Sequence, residues 1–139
     1  MSIDEVAEEL ISDFDLFDDW ADKYEYIIAL GKELPSMDAA DKTEDNTVKG
    51  CQSKVWLKAK QEGDIVVFEA DSDAIITKGI IALLVKVFNG QNAKDIVNDD
   101  LSFIDEIGLK EHLSPNRSNG LVSMVQQMKT YALVFSNSK

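Results

Sequence analysis

Cysteine and histidine are almost missing from this chain, which has one of each, Cys51 and His112, among 139 residues. A single cysteine cannot form an internal disulfide, and with one histidine it can neither complete a zinc site nor hold an iron–sulfur cluster. The carboxylates do not follow the spacing of a calcium-binding loop either. We therefore expect no metal and no bound cofactor.

Long hydrophobic runs and nucleotide-binding motifs are also absent. No apolar stretch approaches the roughly 20 residues that a membrane helix needs. The first residues, Met1 to Glu5, are polar and acidic where a secretory signal is basic. The sequence contains no phosphate-binding loop, dinucleotide fingerprint or serine-hydrolase elbow. Length and composition predict a single domain over residues 1–139 in the reducing cytoplasm, without membrane contact.

Positive charge is scarce, with 14 basic against 26 acidic residues and a formal net charge of −12, which argues against nucleic-acid binding. The few lysines crowd around the cysteine: Lys42, Lys49, Lys54, Lys58 and Lys60. Such a cluster is either a solvated strand face or a local positive field. The second interpretation favours a thiolate at Cys51 and a docking patch for an acidic partner.

The N-terminal part has the pattern of two amphipathic helices. Ser2 and Glu5 have the spacing of a capping box, and apolar residues then recur at helical spacing to about Phe14. Asp18 or Asp19 can cap a second helix, which ends between Gly31 and Pro35. Its aromatic stripe is typical of core or partner packing rather than of a cofactor site.

A β-hairpin is predicted in the middle of the chain. Residues 53–60 alternate between apolar and polar, residues 61–64 form a turn, and residues 65–70 return as a second strand. Residues 46–50 can add a short third strand. The cluster Asp71-Ser72-Asp73 then caps the most apolar helix, from Asp73 to about Phe88, which we expect to pack on the sheet. Its mid-helix Gly79 predicts close approach of another backbone, with the sheet the favoured neighbour.

Three further helical segments follow. Asn92 can cap residues 93–97, Ser102 can cap residues 103–107 before Gly108, and the last helix starts at Ser114-Pro115 or at Ser118. The pattern predicts an α+β fold: a small antiparallel sheet, formed by a hairpin plus a short strand, packed against a central helix, with helices at both termini.

Cys51 is either a buried small hydrophobic residue or a reactive thiol. The preceding Gly50 permits a tight turn at the edge of the hairpin, which favours the second interpretation. A cysteine hydrolase would need His112 as its base, and no group that would orient this histidine is evident. Sulfur transfer needs only a thiolate that attacks a sulfur atom. With no second cysteine to resolve the adduct, sulfur on Cys51 would remain until another protein removed it.

The sequence resembles the SufE-type sulfur acceptors, which partner cysteine desulfurases in iron–sulfur cluster assembly. Four segments carry the resemblance: Trp20 to Ile28 with Leu30-Gly31 and Leu34-Pro35; Asn46, Val48 and Gly50 to Trp56; Asp71 to Ala74 with Lys78-Gly79; and Leu113 to Pro115 with Arg117 and Gly120-Leu121. They follow in this order over most of the chain. One departure is at Lys42, where relatives often have arginine. Lysine keeps the positive charge but lacks the bidentate hydrogen-bonding fork of arginine for a partner contact.

The resemblance implies that the protein accepts sulfane sulfur on Cys51 from a SufS-like desulfurase. It also implies that the protein stimulates that enzyme and passes the sulfur to a SufBCD-like scaffold. It also implies a fold shared with IscU-like scaffolds, and does not separate SufE from its sister acceptor CsdE. Gly50, Gln52 and Ser53 would support the thiol. Residues expected near the site or on the partner surface are Asp73, His112, Arg117, Lys49 and Lys54.

On this interpretation the chain is a covalent carrier, monomeric or homodimeric, and not an enzyme by itself. Two alternatives stay open at this point. One is a non-catalytic protein that activates the desulfurase allosterically, and the other is a hydrolase with a cysteine nucleophile.

Overall fold

A computed structural model describes residues 1–137 of the chain. The helices are α1 (Ile3–Asp15), α2 (Trp20–Glu33), α3 (Ile75–Phe88), α4 (Ala93–Asn98), α5 (Ser102–Ile107) and α6 (Pro115–Asn137). The strands are β1 (Val55–Glu62), β2 (Ile65–Ser72) and β3 (Gln91–Asn92). Short 3-10 turns cover Ala39–Asp41, Glu44–Asn46 and Lys110–His112. The α+β prediction, with helices at both ends of a small antiparallel sheet, is confirmed.

The caps predicted for the N-terminal helices are present. Ser2 and Glu5 form the reciprocal capping box of α1, and the Asp19 carboxylate accepts from the Asp22 N–H at the start of α2. Among residues 1–137, no helix is both long enough and apolar enough to cross a membrane.

The hairpin also forms as expected, but its third strand lies elsewhere. β1 and β2 pair antiparallel from Val55 opposite Ser72 to Glu62 opposite Ile65. Residues 46–50 contribute only one bridge, from Thr47 to Trp56. The third strand is Gln91–Asn92, which pairs with the start of β2, so the sheet order is β1-β2-β3.

The central helix α3 packs on β2 and on α2 in one continuous apolar core. It begins at Ile75, two residues later than predicted, because the Asp73 carboxylate accepts the Lys54 N–H instead of capping the helix. A Cβ built on Gly79 would lie 2.3 Å from the Ile27 carbonyl oxygen of α2. The close approach at Gly79 is therefore confirmed, whereas the prediction that the sheet is its neighbour was wrong.

Helix α6 starts at Pro115, with Ser114 Oγ accepting the Arg117 N–H, as one of the two predicted starts requires. Its second half lies along β1, which is an edge strand. There the Tyr131 hydroxyl donates to the Leu57 carbonyl at 3.3 Å, and the Gln61 amide donates to the Phe135 carbonyl at 3.2 Å.

Candidate functional site

Cys51 lies in a loop, residues 49–53, whose two ends are fixed to the hairpin. At the first end, the Val48 N–H donates to the Val55 carbonyl at 2.8 Å. At the second end, the Lys54 N–H donates to Asp73 Oδ1 at 3.1 Å. The Lys54 carbonyl accepts from both Ser72 Oγ and the Asp73 N–H, at 2.8 and 3.2 Å. The hairpin and the start of α3 therefore define where the loop begins and ends.

The tip of the loop rests on the N-terminal half of α6. Cys51 Sγ donates to the Gly120 carbonyl at 3.6 Å, and the Asn116 amide donates to Gln52 Oε1 at 2.9 Å. Gly50 has a φ of +92°, which favours glycine, and a Cβ there would lie 2.4 Å from Ser123 Oγ. The tip is thus close-packed on the helix, and both of these hydrogen bonds join uncharged groups.

The half-buried thiol lines a cleft of about 680 Å³ between the start of α3 and the start of α6. Its other lining residues include Gln52, Ser53, Asp73, Ile75, Thr77, Ser114, Arg117 and Met124. Ile75 is 69% exposed at this position. The loop residues Gln52 and Ser53, together with Asp73 and Arg117, therefore lie around the same opening as Cys51.

Burial raises the pKa of the Cys51 thiol above its ordinary value. The expectation that the lysine cluster favours the thiolate was therefore wrong for this state of the loop. The physical reason is that the sulfur is desolvated against α6, while most ammonium groups of the cluster are paired with carboxylates.

Most lysines of the cluster are paired with carboxylates. The pairs are Lys42 with Asp71, Lys49 with Glu44, Lys58 with Asp41 and Glu69, and Lys60 with Glu62. Within residues 1–137, no carboxylate lies within 4.0 Å of the Lys54 ammonium or of the Arg117 guanidinium. These two exposed cations are the ones close to the loop that have no acidic partner in this part of the chain.

Asp71 is a residue whose importance the sequence did not reveal. It follows the inward-facing Ala70, so the alternation places it on the solvent side of β2, yet it is only 4% exposed. Its carboxylate accepts from four donors: the N–H groups of Met37 and Ser72 and the ammonium groups of Lys42 and Lys78. Burial by itself raises the pKa of a carboxyl, but these donors outweigh it and hold the pKa of Asp71 below its usual range.

His112 does not line the cleft. Its ring stacks on Trp20 with centroids 4.0 Å apart, and Nδ1 lies 2.9 Å from the Gly108 carbonyl oxygen. Both interactions hold the imidazole on the α2 side, so the geometry gives no support to a cysteine–histidine pair. In the described part of the chain, no three His, Cys, Asp or Glu side chains are grouped as metal ligands.

The fold and the site together define a small α+β protein with one cysteine in a loop at the mouth of a cleft. The model of the SufE family, described as an Fe-S metabolism associated domain, matches residues 8–132. The chain belongs to the SufE family and has a role in iron–sulfur metabolism.

Two SufE-like proteins agree with this assignment, and a solved structure shares the fold. The chain is 42% identical to an uncharacterised SufE-like protein of Rhizobium meliloti (strain 1021), over 90% of this chain and 93% of that one. It is also 42% identical to a SufE-like protein of Rhizobium etli, over 91% and 89% of the two chains. The fold matches the solution structure of a hypothetical protein from Thermus thermophilus, with a TM-score of 0.79, 18% identity, and 96% and 97% of the two chains covered.

Proposed function

We propose that this protein is a sulfur carrier that receives sulfane sulfur on Cys51 from a cysteine desulfurase and passes it to an iron–sulfur scaffold. The observation that carries the proposal is a free thiol at the mouth of an open cleft, in a chain without a second cysteine. A persulfide on Cys51 has no thiol within the chain to resolve it. It therefore persists until an acceptor protein attacks it.

The transfer is a thiol–disulfide type of exchange. The Cys51 thiolate attacks the outer sulfur of the persulfide on the desulfurase cysteine, and a new S–S bond forms. The old S–S bond breaks, its electron pair stays on the desulfurase cysteine, and that sulfur takes up the proton that Cys51 gave up. The desulfurase cysteine is reduced to a thiol while Cys51 becomes the persulfide. No metal ion or outside redox agent is needed.

An incoming persulfide must align with Cys51, so the thiol has to leave the carbonyl of Gly120. We propose that Gly50 is the pivot for this movement, because its φ of +92° lies in a region that glycine adopts freely and other residues rarely adopt. Asp73 fixes the far end of the loop through the Lys54 N–H. A Cys51 loop that is equally rigid in the free and in the desulfurase-bound protein would contradict the pivot.

The carrier function is tested by incubating the protein with a SufS-type desulfurase and cysteine and measuring its intact mass. We expect one added sulfur atom on the wild type and none on Cys51→Ser. Equal labelling of Cys51→Ser, or no labelling of the wild type, would contradict the carrier function.

The same variant separates a carrier from an allosteric activator. If Cys51→Ser still stimulates desulfurase turnover, the chain acts by binding alone. A carrier requires that this stimulation is lost.

A further inference from the structure

Three consecutive loop residues meet three residues on one face of α6. Gly50 lies on Ser123, Cys51 on Gly120 and Gln52 on Asn116. Positions 116, 120 and 123 are spaced by four and three residues, so they share one helix face. The loop therefore runs antiparallel to α6 along a short track, which we call the thiol seat: Asn116, Gly120 and Ser123.

Gly120 gives the seat its shape. A Cβ at this position would lie 3.3 Å from Cys51 Sγ, which is tighter than ordinary van der Waals contact. Glycine in a helix interior costs about 1 kcal/mol relative to alanine. At this position its absence of a side chain leaves room for the sulfur beside the helix backbone.

The contact between Cys51 Sγ and the Gly120 carbonyl depends on a proton on the sulfur. A carbonyl oxygen only accepts, so the thiol must donate. A persulfide has a second sulfur where the thiol has its hydrogen, and Sγ then has no donor. The outer sulfur of a persulfide ionises more readily than a thiol, so the loaded loop brings an acceptor and a negative charge toward a carbonyl oxygen.

We propose that the thiol seat distinguishes the two states of Cys51, binding the loop when the sulfur is a free thiol and releasing it when the sulfur is loaded. This inference rests on the proposed carrier function for its biological use. Asn116 and Gly120 are then positioning residues. They hold the loop of the empty carrier against α6, and they leave the loop of the loaded carrier free to reach its acceptor.

The first test removes the seat and measures how fast iodoacetamide alkylates Cys51 across a series of pH values. Asn116→Ala should raise the rate about two- to tenfold, the range expected for one neutral hydrogen bond, and should shift the apparent pKa of the thiol downward. Asn119→Ala is the matched control, because Asn119 is an exposed asparagine on the same helix outside the seat. Equal rates and equal pH profiles for both variants would overturn the seat.

Gly120→Ala tests the same contact with a substitution that should loosen the loop without lowering the stability of the protein. The added methyl pushes the sulfur away from the helix, so alkylation should be faster, while the better helix propensity of alanine should leave the melting temperature unchanged or higher. Faster alkylation together with a lower melting temperature would mean general loosening and would count against the seat.

The second test loads Cys51 chemically with inorganic polysulfide, so that no desulfurase takes part. Hydrogen exchange of the amides in residues 49–53 is compared between the free thiol and protein whose mass shows one added sulfur. We expect faster exchange in the loaded protein and no change in Cys51→Ser treated in the same way. Equal exchange in the two states would overturn the load-dependent release, even if transfer from a desulfurase succeeds. Failure of that transfer would contradict the carrier function but would not affect the conclusion about load-dependent release of the loop.

Discussion

Asp71 shows how one buried carboxylate fixes the surroundings of a reactive loop. Its four donors come from the segment before the cysteine loop, from β2 itself and from α3. Lys42 also lies over the Trp56 ring, 5.2 Å from its centroid. The segment from Met37 to Lys42 is thereby fastened to the sheet on which the cysteine loop begins.

Asp71→Asn should lower the free energy of unfolding at neutral pH by about 2 kcal/mol, the scale of lost hydrogen bonds to a charged group. Because the folded-state pKa of Asp71 is lowered, its stabilisation is present above the unfolded-state pKa. It disappears as the pH falls through the folded-state value. Denaturant unfolding at several pH values should therefore show a difference between wild type and variant that shrinks below about pH 4.

Asp38→Asn provides the control, because Asp38 is an exposed carboxylate in the same segment. A difference at Asp71 that stayed constant down to acidic pH would contradict the charge-based explanation.

At the level of single residues, the sequence predicted local features well. The capping box of Ser2, the cap at Asn92 and the stop at Gly108 depend on neighbours within a few positions, and all three are present. The burial of Asp71 and the raised pKa of Cys51 depend on segments distant in sequence that cover them. No local pattern contains that information.

The crossing of α2 and α3 depends on two glycines that face each other. A Cβ on Gly31 would lie 2.8 Å from the Gly79 backbone nitrogen, and one on Gly79 would lie 2.3 Å from the Ile27 carbonyl oxygen. The backbones of the two helices are thus in direct contact. Since the nearest atom in the way is a main-chain atom at both glycines, a side chain could be accommodated only by moving a whole helix.

Gly79→Ala should destabilise the protein by about 1–3 kcal/mol, the usual cost of overpacking a core, although alanine is the better helix former. The midpoint of denaturant unfolding measures this effect. Gly120→Ala, also within a helix but facing a movable loop, is the comparison and should not lower the midpoint. A midpoint of Gly79→Ala at or above that of the wild type would show that the helices can separate at little cost.

Whole elements were predictable where a periodic pattern was long enough. The first two helices, the hairpin and α3 have such patterns and were predicted within one to three residues at most of their ends. The third strand was placed wrongly, because β3 has only two polar residues, Gln91 and Asn92, and no pattern of its own. The start of α5 was also missed by one residue, since Asp100 accepts the Ser102 N–H while Leu101 adopts a φ of 53°.

At the scale of the whole molecule, the charge is strongly uneven. The net charge is −12, yet the exposed cations Lys54 and Arg117 lie beside the cysteine loop without an acidic partner in residues 1–137. Lys60 lies near the far end of β1, about 20 Å along the strand from Lys54 at 3.3 Å per residue. We propose that the cations near Cys51 guide an acidic surface of the desulfurase toward the thiol.

Charge reversal tests this guidance. Lys54→Glu and Lys60→Glu each change the net charge from −12 to −14, so a difference between them cannot come from net charge. At an ionic strength of about 0.1 M, Lys54→Glu, alone or with Lys49→Glu, should slow association with a SufS-type desulfurase several-fold. Lys60→Glu should have a much smaller effect, because charges are then screened over about 10 Å. The difference should vanish at high salt. Equal effects of the two reversals would mean that only net charge matters.

Helix α6 has a second role that follows from its position along β1. By donating from Tyr131 to the Leu57 carbonyl, its second half occupies the open side of the edge strand, where another chain could otherwise add a strand. Its first half holds the thiol. Substitutions near Tyr131 should therefore cause self-association of the protein, whereas substitutions near Gly120 should alter the sulfur chemistry of Cys51.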